Sequence, residues 1–126
     1  MSKQNLYLGK SGEEIATCLL KDNGYKILAR NYRTKLGEID IIARDKDTVC
    51  FIEVKTRNSD RFGFPVEAIS ISKQRQISKA ALMFLKQNNL LDKKARFDVV
   101  SIICSENTPK LDLIKNAFEL NENFSY

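Results

Sequence analysis

The sequence predicts a single α/β domain, residues 1–126, in which helices flank a central mixed β-sheet. Helix-like and strand-like patterns occur in the order helix, three strands, helix and strand, followed by a last segment with strand character. Hydrophobic residues make up 43% of the chain and charged residues 29%, as in globular domains with one core. The chain also lacks the repeats or low-complexity linkers that would suggest a second domain.

The first helix is predicted to begin at Ser11 and to stop at Gly24. Ser11 and Glu14 have the spacing of a capping box, in which a serine caps the helix and a glutamate three residues later reaches back. Apolar residues on one side of this segment provide a surface for the core, and glycine is a common stop signal. The capping role accounts for Glu14 without any further function.

Three strands are predicted next, at residues 25–32, 39–43 and 49–54. The polar turn Asp45-Lys46-Asp47 joins the second strand to the third, so these two form a hairpin. With a two-residue loop, one face has only apolar pairs: Ala43 with Cys50, Ile41 with Ile52, and Ile39 with Val54. The opposite face has these pairs: Arg44 with Val49, Ile42 with Phe51, Asp40 with Glu53, and Glu38 with Lys55.

This register crowds two carboxylates, those of Asp40 and Glu53, whose Cβ atoms would be about 5 Å apart. Two such charges repel by roughly 3 kcal/mol at an effective dielectric near 20. Either a proton on one carboxyl or a cation between them relieves the repulsion, and Lys55 offsets part of it. The structural alternative is an edge hairpin with both acids in water. Glu38 is expected to form a cross-strand salt bridge with Lys55.

The second half of the chain begins with a loop that carries Arg57 and Arg61, followed by a short helical turn at residues 66–69. A helix is predicted at residues 72–87, because apolar residues recur there with helical spacing: Ile77, Ala80, Ala81, Phe84 and Leu85. These five residues are expected to face the core.

Two more strands complete the predicted sheet, one at residues 97–103 and a final strand or edge from Pro109 onward. Asp98, near the start of the first of these, is expected to cap the end of the sheet or to bind Arg96. No catalytic role is assigned to it.

The composition narrows the chemistry of any active site. The chain has no histidine, which excludes imidazole general bases, Ser-His triads and the common zinc sites. A bound metal is therefore expected to be a hard cation held by carboxylates. The formal net charge of +5 suits a polyanionic partner, although a solvated basic surface has the same composition.

The three cysteines, Cys18, Cys50 and Cys104, lie in apolar stretches and are expected to be buried thiols rather than disulfides or metal ligands. The N-terminal residues lack the apolar core of a signal peptide, and no apolar run is long enough to span a bilayer. A cytoplasmic protein without membrane contact is therefore expected.

Four stretches carry a resemblance to known proteins: Gly12-Glu13-Glu14 with Ala16, Gly37-Glu38-Ile39-Asp40, Glu53-Val54-Lys55-Thr56-Arg57, and Arg96-Phe97-Asp98-Val99-Val100. An acid on one strand and Glu-x-Lys on the next resemble the PD-(D/E)xK nuclease superfamily. The full set resembles its small bacterial YraN family, which is similar to archaeal Holliday-junction resolvases. The resemblance covers residues 9–118 and implies a restriction-endonuclease-like core. Ile39 stands where the superfamily motif has its proline.

The resemblance implies a role for each matching residue. Asp40 and Glu53 match the acids that bind a divalent metal, Mg²⁺ or Mn²⁺, and Val54 matches the position whose backbone carbonyl also binds it. Lys55 matches the lysine that positions or activates the attacking water. Glu14 stands where many members place a helix glutamate beside the metal.

The implied activity is hydrolysis of phosphodiester bonds in nucleic acid, with DNA favoured over RNA and with branched structures included. The residues expected to contact the nucleic acid are Arg30, Arg33, Arg57, Arg61, Lys73 and Gln76. Phe62 and Phe64 either stack on a base or pack inward. A homodimer is compatible with the resemblance, because junction-cutting relatives pair two active sites.

Two other functions are open on the sequence alone. One is a nucleic-acid-binding accessory module that keeps the fold without turnover, and whose salt-sensitive binding would survive removal of metal. The other is a protein-interaction domain whose basic loops bind an acidic partner. The complete set of Asp40, Glu53 and Lys55 favours the nuclease over both.

Overall fold

The structure is a computed structural model that describes residues 11–57, 69–104 and 109–119. These residues form α1 (Gly12–Asp22), β1 (Lys26–Arg33), β2 (Glu38–Asp45), β3 (Thr48–Arg57), α2 (Ile71–Gln87), β4 (Lys94–Ile103) and β5 (Lys110–Phe118). The predicted order of elements is confirmed, and the segment after Pro109 is a strand. The predicted helical turn lies outside the described residues except for Ile69. Within the described ranges, no helix has the length and apolar character needed to cross a membrane.

The strands form one mixed sheet in the order β1-β2-β3-β4-β5. β3 and β4 are parallel, and the other neighbouring strands are antiparallel. The parallel pair is connected through α2, because a parallel pair needs a long crossover rather than a tight turn. The expected α/β class, with a mixed sheet flanked by helices, is therefore confirmed.

Both helices begin at a serine cap. The hydroxyl of Ser11 accepts a hydrogen bond from the backbone N–H of Glu14 at 3.2 Å, which confirms the predicted start of α1. α2 begins one residue earlier than predicted, because Ser70 caps it by accepting the N–H of Lys73 at 3.0 Å. Gly24, just beyond α1, has a φ of 86°, a conformation that favours glycine.

The helices cover opposite faces of the sheet and form two hydrophobic clusters. On one face, α1 contributes to a cluster that contains Ile15, Ala16, Leu20, Ile41, Ala43, Cys50 and Ile52. On the other face, the five predicted core residues of α2 are all buried, in a cluster with Ile42, Phe51 and Phe97. Burying a side chain of this size stabilises the fold by roughly 1.5–3 kcal/mol, so both helices are held by packing.

The expectation that all three cysteines are buried is wrong. Cys50 is buried in the sheet, but Cys18 and Cys104 are exposed. α1 turns Ile15 and Leu20 toward the sheet, which leaves Cys18 on another side despite its apolar neighbours in sequence. Cys104 lies just after the end of β4.

A buried charged cluster lies beside the α1 face and is centred on Asp98, which is fully buried. The Asp98 carboxylate accepts hydrogen bonds from the Tyr25 hydroxyl at 2.9 Å and from Arg96 Nε at 3.0 Å. It also accepts the backbone N–H of Asn116 at 2.9 Å, and Arg96 donates a further bond to Asp45 at 2.7 Å. The expected contact between Asp98 and Arg96 is confirmed, and these bonds offset the cost of burying the charges.

Candidate active site

The hairpin of β2 and β3 follows the predicted register from its turn to the middle of the strands. The Cα pairs run from Asp45 with Thr48 to Ile41 with Ile52, as predicted. The pairing of described residues ends there, so the expected ladder pairs of Asp40 with Glu53 and of Glu38 with Lys55 are absent. The charged residues therefore lie beyond the last ladder pair.

Ile39 lies on the opposite face from the one predicted. It packs in the second cluster with Ile42 rather than beside Ile41 and opposite Val54. Since residues two apart in a regular strand share a face, the strand is irregular around Asp40. Oδ2 of Asp40 accepts the backbone N–H of Val54 at 2.8 Å, and this bond replaces a main-chain ladder bond. We attribute the end of the register to it.

The carboxyl groups of Asp40 and Glu53 nevertheless come close enough for the charge of Asp40 to raise the pKa of Glu53. Glu53 is only 7% exposed, and burial, followed by the charge of Asp40, raises its pKa to about 7. Burial also raises the pKa of Asp40, although the Val54 hydrogen bond opposes this shift. Near neutral pH the pair therefore requires either a proton or a cation to neutralise it.

Two lysines act on this pair of acids. Nζ of Lys55 lies 3.8 Å from Oε1 of Glu53, and the lysine side chain is 31% exposed. Lys73 lies in the first turn of α2, and its charge lowers the pKa of both Asp40 and Glu53. Lys55 is thus beside the acids, as the sequence predicts. Lys73, which was expected to contact nucleic acid, lies close enough to act on them as well.

Of the two glutamates at the start of α1, Glu13 acts on Asp40. The charge of Glu13 contributes to raising the Asp40 pKa. Glu14 is exposed, and its side chain accepts a 3.4 Å bond from the Ser11 hydroxyl, in keeping with a capping role. The resemblance predicts Glu14 at the site, whereas Glu13 is the glutamate of α1 whose charge acts on Asp40.

Gly12, the residue before Glu13, helps to explain why Glu13 lies near the acids. A Cβ atom on Gly12 would lie 2.7 Å from Oγ1 of Thr56, so only glycine lets α1 approach the end of β3 this closely. Because Thr56 follows Lys55, this approach brings the start of α1 toward the acids. In this chain, Gly12 is therefore the sequence feature that accompanies the position of Glu13.

The arginines expected to contact nucleic acid differ in their surroundings. Nε of Arg30 lies 3.1 Å from Oε1 of Glu13, so this guanidinium is already paired. Arg33 is exposed and pairs with Glu38 at 3.6 Å, which corrects the expected bridge of Glu38 to Lys55. The early end of the β2–β3 ladder explains this change of partner, since Glu38 remains paired with Arg33 in the β1–β2 register.

The remaining candidates for nucleic-acid contact lie at the ends of β3 and α2. Arg57 is half-buried at the end of β3, and its carbonyl accepts the backbone N–H of Cys104 at 2.7 Å. Gln76 and Lys73 line a groove between α2 and the turn that joins β1 to β2. Arg61, Phe62 and Phe64 lie outside the described residues.

The oxygen atoms at the site suit a hard divalent cation. The described part of the chain contains no cluster of three or more histidine, cysteine or acidic side chains placed to hold a metal. The acids Asp40 and Glu53 could act together with the backbone carbonyl of Val54, and Mg²⁺ commonly keeps several waters beside one or two carboxylates. A buried acid pair with raised pKa values is also a pair that a cation would stabilise. The donor set therefore fits Mg²⁺ or Mn²⁺.

Comparison with known proteins places the chain in a family. A model of the uncharacterised protein family UPF0102 matches residues 12–102, a range that includes the acids and both lysines. A UPF0102 protein of Geobacter metallireducens is 52% identical over 120 residues, which cover 95% of this chain and 98% of the relative. A UPF0102 protein of Syntrophus aciditrophicus is 50% identical over 117 residues, which cover 93% and 92% of the two chains. These matches bear out the YraN-like resemblance at the level of the family, and the chain belongs to UPF0102.

Proposed function

We propose that this protein is a metal-dependent endonuclease that hydrolyses phosphodiester bonds in nucleic acid. The observation that carries this proposal is the pair formed by the half-buried Asp40 and the buried Glu53, with Lys55 beside it. Two acids buried together reduce the stability of a fold, and strongly perturbed carboxyl groups concentrate at functional sites. A restriction-endonuclease-like core and membership in the PD-(D/E)xK superfamily belong to the same proposal.

In this mechanism Asp40 and Glu53, with the carbonyl of Val54, would hold one Mg²⁺ or Mn²⁺ ion. When bound, such an ion neutralises charge on the phosphoryl group and on the leaving oxygen. The Val54 N–H fixes one oxygen of Asp40, so this carboxylate is oriented before the substrate arrives. The ammonium of Lys55 is placed to orient the attacking water, a role that a lysine can take in a chain without histidine.

The proposed substrate is DNA, with branched structures such as four-way junctions included. The formal net charge of +5 supports a polyanionic partner. The half-buried Lys73, whose charge acts on both acids, and the exposed Arg33 on the same groove support binding of the phosphate backbone next to the site.

The test begins with calorimetric titration of Mn²⁺ and Mg²⁺ into the wild type and into Asp40→Asn. The same samples are then assayed for cleavage of a four-way junction and of a single strand. The proposal predicts metal binding and cleavage by the wild type, and loss of both in Asp40→Asn. Asp47→Asn is the matched control, because it removes an exposed acid from the β2–β3 turn at the other end of the hairpin, where its pair with Lys94 is at 4.0 Å.

Lys55→Ala separates the chemical step from metal binding. This variant should still bind the ion, because Asp40 and Glu53 remain, but it should cleave poorly. Wild-type protein that neither binds millimolar metal nor cleaves either substrate would contradict the proposal.

The second candidate is an accessory module that binds nucleic acid without turnover. It is favoured by the limited acid set, since the described residues contain no group of three or more histidine, cysteine or acidic side chains placed to hold a metal. This candidate predicts salt-sensitive binding that survives both Lys55→Ala and EDTA, with no cleavage under any metal condition.

A further inference from the structure

We propose that the groove between the β1–β2 turn and α2 binds a second phosphate of the nucleic-acid strand, close to the one that is cleaved. The groove has a volume of about 370 Å³ and is lined by residues 33–38 together with Lys73 and Gln76. This inference rests on the proposed nuclease function. It adds a separate phosphate subsite with its own residues to that function.

The charges around the groove favour an anion. Arg33, Lys35 and Lys73 are cationic, and Glu38 is the single acid among the lining residues. Glu38 lies 3.6 Å from Arg33, so the two lysines remain to attract a ligand. Two ammonium groups beside an open groove suit a phosphate, which accepts hydrogen bonds from several donors at once.

The wall of the groove is held rigid by the turn itself. The hydroxyl of Thr34 accepts the backbone N–H groups of Leu36 and Gly37 at 3.0 and 3.1 Å, and it donates to the Gly37 carbonyl at 3.0 Å. A Cβ atom on Gly37 would lie only 2.6 Å from the backbone oxygen of Gln76. The turn therefore rests directly on α2, and Lys35 is carried on a surface that is already ordered before binding.

The groove is continuous with the pair of acids. Glu38 begins β2, and Asp40 follows two residues later, so the groove and the acids are about 7–10 Å apart along the strand. This span is short enough for one strand to place neighbouring phosphates at the groove and at the acids. Lys73 connects the two places, since it lines the groove and its charge also acts on Asp40 and Glu53. A strand lying over both would meet cations at the groove and a metal ion at the acids.

The test measures binding without cleavage. The affinity of the wild type for a fluorescent single-stranded DNA is determined in EDTA at a series of salt concentrations. The same measurement is made on Lys35→Gln, on Lys73→Gln and on the double variant. Lys26→Gln is the matched control, because Lys26 is an exposed lysine at the far end of β1 from Arg33.

Each groove variant should reduce the slope of log affinity against log salt concentration by about 0.7, the value for one lost phosphate contact with a single strand. The double variant should reduce it by about twice that amount, and Lys26→Gln should leave it unchanged. Unchanged slopes in the groove variants, with normal binding by the wild type, overturn the groove proposal alone. Absence of wild-type binding at low salt overturns it together with the proposed function.

A second experiment distinguishes binding of a nucleic-acid strand from binding of a free phosphate ion. Inorganic phosphate is added to the bound DNA in a few-fold molar excess over the protein, at constant ionic strength. The proposal expects the DNA to stay bound, because several contacts hold a strand and one ion replaces only one of them. Displacement of the DNA under these conditions overturns the assignment to a strand.

Discussion

The backbone N–H of Val54 donates a 2.8 Å hydrogen bond to Oδ2 of Asp40, just beyond the last ladder pair of β2 and β3. This bond ties the acid of one strand to the strand that carries Glu53 and Lys55. The orientation of the Asp40 carboxylate is therefore set by the main chain of its neighbour. The geometry of the candidate site therefore depends on the end of regular β2–β3 pairing as well as on the two acids.

Neutralising one acid should stabilise the metal-free protein at alkaline pH. At pH 8 Glu53, whose pKa is raised to about 7, is largely ionised beside Asp40, and the two charges repel. We expect Glu53→Gln to raise the free energy of unfolding by about 1–2 kcal/mol, measured by urea denaturation in EDTA. Glu38→Gln, on an exposed acid, should change it by less than about 1 kcal/mol. A clear loss of stability in Glu53→Gln would contradict the picture of two crowded acids.

The stability of the metal-free wild type should fall as pH rises from about 4.5 to about 7. Glu53 has a folded pKa above its ordinary value of 4.5, so the folded state binds more protons than the unfolded state in this window. Asp40 contributes in the same direction, because its pKa is also raised. The Glu53 contribution amounts to at most about 3 kcal/mol.

Urea denaturation in EDTA across pH 4.5–8 measures this fall in the wild type and in Glu53→Gln. The part of the pH dependence that disappears in the variant belongs to Glu53. Addition of Mg²⁺ should restore stability above pH 7, because a bound cation replaces the proton. An equal pH dependence in the two proteins would disprove the assignment.

Removing the Asp98 carboxylate should cost far more stability than removing a surface acid. Asp98→Ala leaves the Arg96 guanidinium, whose side chain is 20% exposed, without one of its partners and leaves the Tyr25 hydroxyl without its acceptor. We expect a loss of about 3–5 kcal/mol in chemical denaturation at pH 7. Asp47→Ala is the control, since its pair with Lys94 is at 4.0 Å and both side chains are highly exposed, and it should cost less than about 1 kcal/mol.

Gly37→Ala should weaken both the fold and the binding of a strand. The added methyl group would lie 2.6 Å from the backbone oxygen of Gln76, so the β1–β2 turn must move away from α2. We expect a stability loss of about 1–3 kcal/mol and weaker binding of single-stranded DNA at constant salt.

Gly24→Ala is the matched control for this prediction. Gly24 has a φ of 86° and open space around its Cβ position, so alanine there should cost about 1–2 kcal/mol through backbone strain alone. It should leave DNA binding unchanged once the protein is folded. Equal DNA affinities for the two variants would show that the turn does not take part in binding.

The parts of the fold that depend on apolar periodicity were predictable. The apolar face of α2 and the register from Asp45 to Ile41 follow from which residues must be buried, and both are confirmed. The face of Ile39 and the partner of Glu38 were predicted wrongly. Both depend on one bond from a side chain to the main chain, that of Asp40 to Val54, which no periodicity reveals.

The candidate site was predictable to a similar degree. The meeting of Asp40 and Glu53 follows from the register of the hairpin, because those residues come next after its last confirmed pair. The difference between Glu13 and Glu14 depends on how closely α1 approaches Thr56, which is a tertiary contact. The groove could not be predicted, because it forms only where the β1–β2 turn packs against α2. Lys35 also has no pattern in the sequence that distinguishes it from other surface lysines.

The position of the acids beyond the last ladder pair also bears on the kinetics of folding. The β2–β3 hairpin can form from its tight turn through apolar pairs, whereas the parallel pairing of β3 with β4 must wait for the long crossover to close. The repulsion between Asp40 and Glu53 becomes large only after water is excluded, late in folding. Substitution of either acid should therefore slow unfolding and leave the folding rate almost unchanged. In the metal-free protein, the two acids should therefore leave the rate of folding almost unaffected but increase the rate at which the native state unfolds.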